Sequence, residues 1–148
     1  MHLQETIFNR IKEESPNIKD LNFAAISGMD MRKIFELYDT LYFDGFFDRH
    51  FNDKKSKESI TFRLSNRMTS AGGKTTKKRI NGRIEYEITL SSYLLFNAFD
   101  NGNKEAKVNG IICRNRLEAA LRILEHEFIH LYEMIKFGDS SCGSRRFK

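Results

Sequence analysis

LEAALRILEHEFIHLYEMIKF, residues 117–137, is an unbroken run of helix formers with His126-Glu127-Phe128-Ile129-His130 at its centre. On a helix, positions i and i+4 lie one turn apart on one face, so the imidazoles of His126 and His130 can reach a single metal ion. Glu127, beside the first histidine, is placed to take a proton from a metal-activated water and return it to a leaving amine, the division of labour of an HExxH zinc hydrolase. Around this motif Leu117, Ala120, Leu121, Leu124, Phe128, Leu131 and Ile135 recur at spacings of three and four, the mark of a stripe buried against the rest of the fold. Both histidines fall one or two positions from stripe residues and belong at its border. A buried imidazole needs a partner for each ring nitrogen, and a metal supplies one; a hydrogen-bonded core pair is the other use of the same two residues.

The length of 148 residues sets the frame: it suits one domain with a sizeable core. Hydrophobic residues make up 40% and charged residues 30%, which excludes both a membrane-spanning chain and a disordered one. The N-terminal MHLQETIFNRIKEE scatters charge through what would be the apolar core of a secretory signal. Two cysteines, Cys113 and Cys142, are too few for a disulfide framework. A cytoplasmic or nuclear location is expected. The net charge of +5 is compatible with binding a phosphate backbone and equally with an ordinary soluble domain.

Upstream of the long helix, which should begin near Asn115 or Arg116, Val108, Ile111 and Ile112 are expected to pack, and Asp100-Asn101-Gly102-Asn103 to form a loop. A short helix over 93–99 should be capped by Ser91 or Ser92. Ile84, Tyr86, Ile88 and Leu90 alternate with Arg83, Glu85, Glu87 and Thr89, the clearest strand in the chain, and Ile60, Phe62 and Leu64 make another. Asn81-Gly82 is a strong hairpin turn. With Gly72-Gly73 read as a second turn, three antiparallel strands follow. Gly73-Lys74-Thr75 resembles the end of a phosphate-binding loop, but the first glycine of that pattern would fall at Met68, and the segment lies between strands. Lys74, Lys77, Lys78 and Arg79 are either a solvated turn or a nucleic-acid contact.

Nearer the N-terminus, Leu3, Ile7, Phe8 and Ile11 predict a short amphipathic helix ending before Ser15-Pro16. Asp30 is expected to cap a second helix that closes at Gly45. Phe43, Phe46, Phe47 and Phe51 should be core, His50 solvated, and Lys54 to Lys57 an exposed turn.

Three pieces of sequence stand in a recognisable order: LYDTLYFDGFF, then FRLSNRMTSAGG with ITLSSYLL, then LEAALRILEHEFIHLYEMIKFGDSSCGSRRF. Together they resemble the SprT-like metallopeptidase family over roughly residues 34–147. The resemblance implies an α+β zincin-like domain, with a small antiparallel sheet packed on helices that include the HExxH helix. It also implies a zinc peptidase whose eukaryotic relatives cut proteins crosslinked to DNA. His126 and His130 take the metal-ligand roles and Glu127 that of the catalytic base. Zinc would lower the pKa of bound water toward ~7 and polarise the scissile carbonyl. The family supplies a third histidine after the helix. Here no histidine follows His130, and Cys142-Gly143 stands at about that place. A thiolate is an acceptable zinc ligand. The other explanation is that the third ligand lies downstream of Lys148. The zinc ribbon that some relatives carry is also missing, so DNA contact would fall to the chain's own basic surface. The expected partners are a protein or peptide substrate and DNA, without a membrane. A nucleic-acid-binding domain with a degenerate zincin site and an HExxH hydrolase acting on an unrelated peptide remain the alternatives.

Overall fold

The computed structural model of the chain describes residues 2–21, 23–98, 106–108, 111–113 and 115–138. In chain order the elements are α1 (His2–Glu14), α2 (Gly28–Tyr42), α3 (Phe46–Phe51), β1 (Glu58–Ser65), β2 (Gly73–Ile80), β3 (Arg83–Ser91), α4 (Ser92–Ala98), β4 (Ala106–Val108), β5 (Ile111–Cys113) and α5 (Arg116–Phe137). The class is α+β, as expected. No helix among the described residues is long and apolar enough to cross a membrane. The loop expected at 100–103 lies outside the described residues, as does the packing of Val108, Ile111 and Ile112, whose backbones form the β4–β5 ribbon.

The sheet corrects the expectation of three antiparallel strands. Its order is β1-β3-β2, with β2 antiparallel and β1 parallel to β3. Asn81 (φ 51°) and Gly82 (φ 80°) form a two-residue turn with both residues left-handed, the geometry that matches strand twist and forces β2 and β3 to pair. β1 then takes the opposite flank of β3. Residues 66–72 are therefore a connection over the end of the central strand instead of a hairpin. The start of the Ser91-Ser92 pair pins it: the Ser91 amide donates to Gly72 O at 2.7 Å, the Ser91 hydroxyl to Met68 O at 2.7 Å, and the Ser92 hydroxyl to Ser65 O at 3.2 Å. Ser91 Oγ also accepts from Leu94 N at 3.0 Å, capping α4.

Burial on one sheet face explains where α5 goes. Tyr86, Ile88 and Leu90 of β3 are buried, and α5 lies against β3 and β2 with Leu117, Ala120, Leu121, Leu124, Phe128 and Leu131 inward. On its other flank Phe128 meets α2, with ring centroids 5.2 Å from Phe35 and 5.4 Å from Tyr38. The aromatic cluster at the end of α2 is core as expected: Phe47 is fully buried, and Phe43 and Phe46 pack on Tyr132 of α5.

Two local expectations change. The cap of α2 is Ser27, and Asp30 is its third residue, completing a reciprocal capping box. Asp30 is wholly buried and accepts hydrogen bonds from Ser15, Asn17 and Ser27, tying α1 to α2. His50 is half-buried instead of solvated, its Nε2 2.9 Å from Glu58 Oε1, because α3 turns back toward the start of β1. Gly45 (φ 76°) makes that turn, and buried Asp39 accepts from the Phe47 and Asp48 amides at 2.9 Å each, satisfying donors at the start of α3.

Candidate metal centre

The sequence local to α5 builds one half of the site. Asn115 caps the helix by accepting from Glu118 N at 2.9 Å, and Gly138 (φ 88°) ends it. Continuous helix between them holds His126 and His130 in one relative position, with Nε2 atoms 3.0 Å apart and rings 82° to each other. Two imidazoles bound to one zinc at ~2.0–2.1 Å in tetrahedral geometry have their nitrogens roughly 3.3 Å apart, so the pair fits such an ion with little adjustment. Burial pushes both histidines below the ordinary imidazole range. For His130 the neighbouring His126 adds to that effect, and buried Glu133, one turn on, opposes it. Both rings are thus biased to the neutral form that ligates metal.

The other half comes from β2. Glu127 is 6% exposed. Its carboxylate oxygen Oε1 accepts from the Thr75 hydroxyl at 2.8 Å, and its main-chain oxygen lies 3.2 Å from the same hydroxyl. Burial pushes the carboxyl up and the Thr75 hydrogen bond opposes that. The net rise moves Glu127 toward the range of a general base working near neutral pH. The strand can come this close because Gly72 and Gly73 present no side chains to α5. A Cβ on Gly72 would stand 3.0 Å from Ile123 Cδ1.

The chain matches the SprT-like family over residues 31–147. It belongs to the SprT-like family. Comparison with curated proteins and with solved structures found no match. In this SprT-like chain the match takes in the whole sheet, α5 and the segment after it.

His126 and His130 approach one another across one helical turn, while Glu127, next to His126 in the chain, has its carboxylate against Thr75 of β2. Cys142 lies outside the described residues. Among the described residues no group of three or more His, Cys, Asp or Glu side chains could hold a metal ion. The basic residues occupy β2, an edge of the sheet, with Lys74, Lys78 and Arg79 exposed. A cavity of about 230 Å³ lined by Phe8, Tyr38, Leu117, Leu121 and Arg122 does not include the three motif residues. Sequence reasoning missed Thr75 and Gly73, having taken their segment for a hairpin. The available signal was paired glycines entering a strand, which mark a close approach of backbone to a neighbour.

Proposed function

We propose that this SprT-like chain is a zinc-dependent metallopeptidase on a zincin-like domain, with His126 and His130 as two of the ligands and Glu127 as the catalytic base. The observation that carries this reading is the pairing of 3.0 Å between the Nε2 atoms with a buried Glu127 carboxylate. A core histidine pair has no use for that carboxylate, which destabilises a fold by its desolvation, whereas a hydrolase needs it. When bound, zinc supplies the Lewis acid that acidifies water and polarises the scissile carbonyl. His126 and His130, held neutral, offer their Nε2 lone pairs. Glu127 accepts a proton from the attacking water at a carboxylate oxygen and delivers it to the departing amine. The substrate is a protein segment in extended form along the edge of β2 that no described strand occupies.

Purified protein is expected to hold one zinc per chain by elemental analysis. Glu127→Gln should retain the metal and lose hydrolysis of an unfolded protein by about 10²–10⁴-fold, and His126→Ala should release the metal. Undiminished hydrolysis by Glu127→Gln would overturn the assignment. Cys142→Ser tells whether that thiol completes the ligand set: lowered zinc content assigns it, unchanged content places the third ligand elsewhere.

One feature favours DNA-associated substrates, and equally a second reading as a nucleic-acid-binding domain that cuts nothing. Residues 73–80 carry four cations and no anion, on a strand at the sheet edge. Salt-dependent DNA binding together with cleavage of a DNA-bound protein supports the first; the same binding without cleavage under any condition supports the second. Cytoplasm or nucleus is the proposed compartment, in keeping with a sequence that has two cysteines, too few for a disulfide framework.

A further inference from the structure

We infer that Thr75 is a positioning residue for Glu127, so that the base is aimed by the strand beside the helix and not by the HExxH helix alone. The inference rests on the peptidase reading for its catalytic consequence and on geometry for its substance. A glutamate side chain has three rotatable bonds and, on a helix surface, samples many positions. Glu127 is confined on two sides. The Thr75 hydroxyl donates to Oε1 at 2.8 Å. Gly73, two residues earlier on the same face of β2, leaves a slot in which even a methyl group would stand 3.1 Å from Oε2 and 3.0 Å from Cγ.

Threonine suits the task. Its β-branched side chain is stiff about χ1, so on a paired strand the hydroxyl direction is set by the backbone. β2 is registered to β3 residue by residue, with Thr75 opposite buried Ile88, so a shift of Thr75 requires a shift of the sheet. A carboxylate oxygen has more than one lone pair. The bond from Thr75 therefore leaves Oε2 and the second lone pair of Oε1 available to a water. The Glu127 main-chain oxygen, 3.2 Å from the hydroxyl, is a second acceptor for the same single proton. With that oxygen also in reach, the hydroxyl stays directed at this one residue of α5.

The test uses the zinc-loaded full chain with Thr75→Val, which keeps the branched shape and removes the hydroxyl, and Thr75→Ser, which keeps the hydroxyl. Expected for Thr75→Val is one zinc per chain, KM within about twofold of the parent and kcat lower by about 10- to 100-fold, the loss typical of a misplaced catalytic group. Thr75→Ser should recover most of kcat. A Thr75→Val protein with unchanged kcat, beside an inactive Glu127→Gln, overturns the positioning role and leaves the peptidase reading intact. Crystal structures of the parent and Thr75→Val give a readout that needs no activity. Displacement of the Glu127 carboxylate supports the inference even if the parent cuts nothing, a result that would overturn the peptidase reading alone. An unmoved carboxylate overturns the inference.

Discussion

Gly73 and Glu127 meet so closely that no side chain fits between them: a Cβ on Gly73 would lie 3.0 Å from Glu127 Cγ and 2.7 Å from Ile123 Cγ2. The contact joins β2 to α5 at Glu127, the residue proposed as the base. Local changes in the strand should therefore be felt in both stability and catalysis.

Gly73→Ala tests this contact. Overpacking of this kind destabilises by about 1–3 kcal/mol, because Ile123 belongs to the buried face of α5 and cannot swing into solvent. Thermal unfolding should show the loss and peptide hydrolysis should fall with it. An unchanged melting temperature would mean that α5 and β2 separate freely.

Glu127→Gln should stabilise the zinc-free fold by about 1 kcal/mol, a common exchange of function for stability. The sign follows from burial, which raises the folded carboxyl above its ordinary value near 4.5. Below that value Glu127 is protonated in both folded and unfolded chains, and the variant gains nothing. As pH rises through the raised folded value, the parent loses stability that the glutamine retains. Urea unfolding with a chelator at pH 4 and pH 8 reads the difference, which should grow with pH.

Asp30 should give the opposite dependence. Burial pushes its carboxyl up, but the hydrogen bonds from Ser15, Asn17 and Ser27 outweigh burial and hold it below the ordinary 3.8. Its contribution is full above that value and is lost as pH falls through the lower folded one. Asp30→Asn is expected to lose about 2 kcal/mol at pH 7 and to show a shallower acid limb below about pH 4. Identical limbs for parent and variant would remove Asp30 as the cause.

Thr76 Oγ1 is buried and has no hydrogen-bond partner among the described residues. Thr76→Val keeps the β-branched shape on a strand and removes the orphaned hydroxyl, so a gain of about 1 kcal/mol is expected. Chemical denaturation measures it, and a loss would show that the hydroxyl is satisfied in solution.

Much of the architecture was legible residue by residue. The stripe from Leu117 to Leu131 gave α5 and its inward face, and the alternation about Ile88 gave β3. The turn at Asn81-Gly82 gave the hairpin that follows β2. Each of these rests on neighbours within a few residues. Asp30 was misread by a few positions because Ser27 and Asp30 are both good capping residues, and only the reciprocal hydrogen bonds show which one stands at the cap. His50 was misread because its partner Glu58 comes from the next element.

The sequence alone determined that His126 and His130 share a helical face with Glu127 beside them, because a helix is a local structure and its period alone sets which residues converge. The tertiary structure alone decided that β1 runs parallel to β3 and that the strand carrying Gly73 and Thr75 is the one laid against Glu127. Thr75 and Glu127 are 52 residues apart. Their meeting depends on which flank of β3 each strand takes and on the burial of a common core, and no local spacing encodes either.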